Sequence, residues 1–291
     1  MTHVSARRGA IYVSVAATAW GTGGAAGSLL FQTGDLGPVG VSLWRYLLGA
    51  AFLLLLTWGR RPITPWRLSP RLLATGVGMA VYQTAYFAAI AHSGVAVATV
   101  VTMGATPVFT ALGSRFLLRE PLGRVVGAAL AAALAGLLLL TGESALQARS
   151  AAMAGIGYAL LSAAGYAAVT LYSRRHSDDP RGTAIGGFVV GAVCLAPFAL
   201  ADGVLPQINL ESVALLLYLG AVPTALAYGL FFSALTALRA TTVSIISLGE
   251  AVGAALLGVL LFGERLTPAA WAGCGLLLAA VVVLSVRADT A

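Results

Sequence analysis

Runs of about twenty predominantly apolar residues recur from one end of this chain to the other. Each is long enough to cross a hydrocarbon core of about 30 Å as a helix. Ten such runs are read, over 9–30, 38–58, 70–91, 95–117, 122–141, 151–172, 183–201, 210–235, 240–262 and 267–286. Pro38, Pro121 and Pro268 read as first-turn prolines of spans 2, 5 and 10, a position that needs no N–H donor. Only 9% of the residues are charged and mean hydropathy is +0.92. A soluble domain carries about 25% charged residues, so this chain cannot cover a water-facing surface. An all-α integral membrane protein is expected, with the bilayer as its main solvent. Arg7 and Arg8 before an apolar stretch superficially resemble a signal peptide, but 9–30 is long enough to be a span and is expected to be retained.

The charges give the spans a direction. The basic residues are all arginine, in short clusters between apolar runs. With the N-terminus cytoplasmic, one side receives Arg7, Arg8, Arg60, Arg61, Arg67, Arg71, Arg115, Arg119, Arg124, Arg174, Arg175, Arg181, Arg239 and Arg287. The other receives Arg149 and Arg265, together with Asp35, Glu143, Asp202, Glu211 and Glu264. This bias predicts a cytoplasmic membrane location with both termini cytoplasmic. It also explains the pI near 9.9 without a nucleic-acid partner. The connections are short. The longest polar piece, Ser173–Gly182 with Asp178 and Asp179, reads as a solvated hinge. Cys194 and Cys274 lie inside apolar runs and read as small packing residues.

One phrase occurs twice. "ATPVFTALGSRFLLREPL" (Ala105–Leu122) returns 144 residues later as "GEAVGAALLGVLLFGERL" (Gly249–Leu266), with Val, Ala, Leu, Leu, Glu and Leu identical at Val108, Ala111, Leu112, Leu117, Glu120 and Leu122. Each phrase ends one span and opens the next. Five spans per half is an odd number, so the second copy must enter the membrane from the opposite side. Two inverted five-helix repeats, 1–146 and 147–291, around a central cavity are therefore expected. Such repeats build secondary transporters, with the solute site near the midplane between them.

The chain resembles the drug/metabolite transporter superfamily, specifically EamA-type ten-span exporters. The residues that carry the resemblance are Ala19–Gly27 ("AWGTGGAAG"), Trp44–Leu56, Tyr82–Gly123 and Leu248–Val283. It extends over the whole chain, and its motifs are individually degenerate but specific in order and spacing. The resemblance implies a cavity lined by spans 1–4 and 6–9, with spans 5 and 10 mainly structural. It also implies movement of small metabolites, commonly amino acids, usually outward. The chain departs from the family at Glu250–Ala251, where Glu–Pro is frequent, so no kink is expected in span 9, whereas span 4 keeps Pro107.

Two ionisable side chains lie at depth, at a cost of about 2.5–3.5 kcal/mol each. Arg45 is about 10 Å into span 2 and Glu250 about 15 Å into span 9, at 1.5 Å per residue. Glu250 reads as a proton-coupling carboxyl or a contact for a substrate amine, against a structural Glu bonded to Ser or Thr on a neighbouring span. Arg45 suits a substrate carboxylate. Its length also lets it snorkel to the outer interface, which is the reading favoured here. On span 4, Thr99, Thr102, Thr106 and Thr110 share one face beside Met103. They serve either the cavity or helix packing. Tyr82 and Tyr86 share a face of span 3 beside Gln83, and Tyr228 and Phe232 a face of span 8. With Trp20, Tyr166 and Ser247 they complete the candidate substrate site. Core packing is the alternative for each aromatic. His92 reads as an interfacial turn residue.

The expected function is export of small organic metabolites, best amino acids or similar zwitterions, by alternating access. A membrane channel or scaffold is the alternative. No catalytic signature of a serine protease, metalloprotease or P-loop enzyme is present, and no enzyme activity, cofactor or metal is expected. Partners expected are the solute and the lipid bilayer, with protons as the candidate coupling ion and the protein acting as a monomer.

Overall fold

The computed structural model describes residues 4–33, 36–57, 69–147, 153–176, 179–202, 206, 209–262 and 265–287. All regular structure among them is helical: α1 (Ala6–Thr33), α2 (Pro38–Thr57), α3 (Pro70–Phe116), α4 (Arg124–Gln147), α5 (Met153–Arg175), α6 (Pro180–Asp202), α7 (Leu210–Gly220), α8 (Ala227–Ala234), α9 (Ala240–Ser247), α10 (Gly249–Phe262) and α11 (Pro268–Arg287). A π turn, Ala221–Leu226, joins α7 to α8. Among the described residues nine segments are long and apolar enough to cross a bilayer. α1, with 28 residues, has the length, but its Gly- and Thr-rich middle makes it less apolar than the nine.

Helix starts follow local chemistry. Pro38 and Pro268 open α2 and α11, as read from the sequence. Pro121 does not open α4, which begins at Arg124; its carbonyl instead accepts a hydrogen bond from Arg239 at 3.2 Å. Pro70 and Pro180 also open helices. Ser69 caps α3 by accepting from Leu72 N, and Asp179 receives Gly182 N at 2.9 Å. Asp179 is thus a helix cap rather than part of a free hinge, while Asp178 lies outside the described residues.

Spans 3 and 4 form one continuous helical path, the 47-residue α3. It doubles back on itself. Tyr86 Oη and Thr99 Oγ1, thirteen residues apart, are 2.9 Å from each other, whereas thirteen residues of straight helix cover about 20 Å. Spans 8 and 9 are interrupted instead. Pro223 has no N–H for the Leu219 carbonyl, and the backbone widens into the π turn at that point. In span 9 the chain tightens at Leu248, where Leu248 N bonds Ile245 O and Ala251 N bonds Leu248 O, each at 3.1 Å. The distortion beside Glu250 therefore exists without a proline.

The helices interleave. α5 packs against both limbs of α3, while α1 packs against α8, α9 and α10. α2 pairs with α6, and α4 with α11. Glycine permits the closest approaches. A Cβ on Gly136 would meet Gly273 O at 2.7 Å and Leu276 Cβ at 3.1 Å. One on Gly273 would meet Gly136 O at 2.5 Å and Leu139 Cβ at 3.1 Å. Each glycine faces a residue three positions beyond the other, an order possible only if α4 and α11 run antiparallel. Likewise a Cβ on Gly21 would lie 2.8 Å from Glu250 O, so α1 rests on the backbone that carries Glu250.

One end of the bundle is tied by arginine. Arg174 Nε donates to Glu120 Oε1 at 3.3 Å, and its Nη1 to Leu235 O at 2.9 Å. Arg174 and Arg239, assigned to one side by charge, thus meet at the same end as the 117–123 loop. Arg60, Arg61, Arg67, Arg149, Asp35 and Glu264 lie outside the described residues. Cys194 and Cys274 are free and sit half-buried and buried within helices.

Candidate functional site

Arg45 and Glu250 come from opposite ends of the sequence to one buried region. Arg45, half-buried on α2, turns inward. Its Nε donates to Thr224 Oγ1 at 3.3 Å, which corrects the expectation that it snorkels to the interface. Thr224 is held in turn. Its hydroxyl donates to Leu219 O at 2.7 Å, filling the acceptor that Pro223 leaves without an N–H. The same proline that distorts the helix therefore gives Arg45 a fixed anchor. Glu250, half-buried at the start of α10, lies within electrostatic reach of Arg45, Tyr86, Tyr166 and Tyr228. Among the described residues it makes neither a hydrogen bond nor an ion pair. Among the described residues, then, no neighbouring Ser or Thr bonds Glu250 as the structural reading expected.

Between the two charges stands an aromatic cluster. Tyr82 Oη and Tyr228 Oη are 2.7 Å apart and buried. Trp20 meets Tyr228 edge-on with centroids 5.1 Å apart, and Tyr166 meets Tyr82 edge-on at 5.4 Å. Such edge contacts add stabilisation beyond the area they bury. Tyr82 and Tyr228 are 146 residues apart, and so are Trp20 and Tyr166. The two edge contacts are therefore equivalent under a shift of 146 residues. Phe232 packs beside Tyr228 at 6.2 Å. The charges do not follow this equivalence: 146 residues beyond Arg45 stands Gly191, against which the Tyr46 ring packs.

The rim is polar. Gln83 Nε2 donates to Ser42 Oγ at 3.3 Å, and Ser162 Oγ donates to the Tyr82 carbonyl at 2.9 Å. Ser247 Oγ donates to Val243 O at 2.9 Å, on the turn that leads into Glu250. Trp20 Nε1 is buried and has no hydrogen-bond partner among the described residues. It is a buried donor that the surrounding side chains leave unpaired. The threonine face of span 4 is mostly internal. Thr102 Oγ1 donates across to Ala159 O at 3.3 Å, and Thr106 and Thr110 donate to carbonyls one turn back. Thr99 serves Tyr86, and Met103 packs half-buried against the core. His92 is exposed and stacks on Tyr158 at 5.4 Å.

Sequence reasoning missed Thr224, Tyr46 and Phe188. Tyr46 and Phe188 are among the largest fully buried side chains. Tyr46 stacks on Phe188 at 5.4 Å, and its hydroxyl faces Tyr82 and Tyr228. The one available sign was Thr224 following a proline inside an apolar run.

The sequence is similar to known proteins over nearly its full length. The model of the EamA-like transporter family matches it twice, over residues 7–142 and 153–286. A Bacillus subtilis protein called uncharacterized transporter YwfM is 30% identical over 279 residues, covering 94% of this chain and 93% of its own. A Salmonella typhimurium protein called uncharacterized inner membrane transporter YicL is 24% identical over 289 residues, covering 97% and 96%. One crystal structure aligns with a TM-score of 0.84 at 21% identity, over 94% of this chain and 97% of its own, a likeness of fold.

Proposed function

The chain belongs to the EamA-like transporter family, and on that premise we propose that it exports small zwitterionic metabolites, amino acids or similar compounds, across the cytoplasmic membrane by alternating access. One observation carries this reading: Arg45 and Glu250 face the same buried aromatic cluster without pairing with each other. A guanidinium fork matches a carboxylate, a free carboxylate matches an ammonium group, and Trp20 Nε1 supplies a further donor. An arginine closed on a glutamate would have little left to offer a solute. Glu250 is also the candidate for coupling to protons.

Ten spans in two inverted halves, 1–146 and 147–291, would supply the motion. The antiparallel pairing of α4 with α11 supports this. So does the exchange by which α5 packs on α3 as α1 packs on α8 to α10. Two inverted copies able to trade conformations make inward- and outward-facing states close in energy. The arginine-rich end would be cytoplasmic, with both termini there.

Counterflow of a radiolabelled neutral amino acid in proteoliposomes tests the proposal. Saturable counterflow is expected, lost in Arg45→Gln. In Glu250→Gln, uptake driven by a pH gradient is expected to disappear. Flux that does not saturate would instead favour a channel. Unchanged gradient-driven transport in Glu250→Gln would remove the coupling role.

A further inference from the structure

A cavity lies at the arginine-rich end, away from the aromatic cluster. It is half-open, has a volume of about 410 Å³ and is lined by Leu117, Leu118, Arg119 and Arg175. Both arginines are exposed. Among the described residues neither is hydrogen-bonded or ion-paired. The acids nearby are already engaged: Glu120 faces Arg174, and Asp179 caps α6. The Glu120 Oε2 atom is buried and so does not reach the cavity mouth. Among the described residues the lining charge is therefore positive and uncompensated.

The backbone adds a second, independent observation. Arg119 has φ 57°, in the left-handed region, and is the one residue other than glycine with positive φ among those described. Side chains with a Cβ rarely take this conformation, and glycine takes it freely. In the repeated phrase the position aligned with Arg119 is Gly263, whose structure lies outside the described residues. The chain thus places arginine where glycine would serve the turn better. Strain of this kind persists where a side chain is needed at that point.

Apolar side chains complete the environment. Phe116 is 75% exposed and Leu117 67% exposed at the end of α3, where a spanning helix passes from hydrocarbon to headgroups. Two guanidiniums bind the oxygens of a phosphate. A free phosphate ion has no use for the neighbouring apolar wall, whereas a phospholipid places its acyl chains against one. Basic pockets at helix ends take anionic headgroups by this logic. From the cavity, its paired arginines and the strained Arg119, we propose that this cavity binds the phosphate headgroup of an anionic phospholipid. The proposal stands whether or not the solute is a zwitterion.

The test measures the thermal unfolding midpoint of the full chain in detergent, titrated with phosphatidylglycerol, phosphatidylcholine or inorganic phosphate. Phosphatidylglycerol is expected to raise the midpoint by mass action, and the other two are not. Arg175→Gln and Arg119→Gly should each weaken the apparent lipid affinity about five-fold. Arg119→Gly should also begin from a higher lipid-free midpoint, because it relieves the left-handed strain, so its lost response cannot be ascribed to misfolding. Equal rises with phosphatidylcholine would overturn the proposal. So would a wild-type response in both variants. A rise of the same size with inorganic phosphate alone would overturn the assignment to lipid.

Discussion

At the scale of the residue, Thr224 carries more than its size suggests. Its hydroxyl accepts from Arg45 and donates to the carbonyl that Pro223 strands. Thr224→Val removes both roles at nearly constant volume and is expected to cost about 1–3 kcal/mol. It should also raise the KM for a zwitterionic solute, measured by counterflow, while Thr224→Ser should restore both. The Tyr82–Tyr228 pair is a cleaner case. Either single change to Phe leaves the other hydroxyl in a dry site and should lower stability by about 1 kcal/mol. The double change removes the mismatch and should cost less than the two singles together, a non-additivity that a double-mutant cycle reads directly. For Arg119, replacement by glycine should gain about 1 kcal/mol in lipid-free detergent, read as a shift in thermal midpoint.

At the scale of the element, two kinds of helix share the bundle. α4 and α11 touch backbone to backbone through Gly136 and Gly273. Gly136→Ala drives a Cβ into a carbonyl, which no side-chain rotation relieves, and should cost about 1–3 kcal/mol. The solute KM should not change, because neither helix contributes a residue to the aromatic cluster. Spans 8 and 9, by contrast, are interrupted where they carry Thr224 and Glu250. An uninterrupted α-helix would aim these side chains elsewhere. Pro223→Ala is expected to let the π turn close into ordinary helix, raising the thermal midpoint while slowing transport, the usual trade when a strained functional segment is regularised.

At the scale of the whole molecule, residues 1–146 and 147–291 are expected to depend on each other for stability. α1 finds its partners on α8, α9 and α10, and α5 finds its own on α3. Residues 1–146 expressed by themselves should leave the glycine faces of α1 and α4 without partners. They should be degraded, while co-expression with 147–291 should restore both, read by protein level and by counterflow. Cysteines engineered beside Arg119 and Arg265 should react with a membrane-impermeant reagent from opposite compartments. Reaction from the same side would remove the inverted arrangement and alternating access with it.

Apolar length is a local property, so the sequence alone determined the membrane class and, to within a few residues, the nine spans found among the described residues; the sorting of charge between two sides remains an expectation from arginine placement. The sequence also singled out Arg45 and Glu250, because an ionisable group in an apolar run is conspicuous whatever surrounds it. The tertiary structure decided what those two groups face. Arg45 meets Thr224 across 179 residues and Tyr82 meets Tyr228 across 146, and no local pattern says which helix will lie beside which. The same holds for Tyr46, which looks like any interfacial tyrosine until α6 closes over it, and for Pro121, whose place depends on where Arg239 arrives. A side chain's depth can be counted along its own helix, but its partner is chosen by the packing of another.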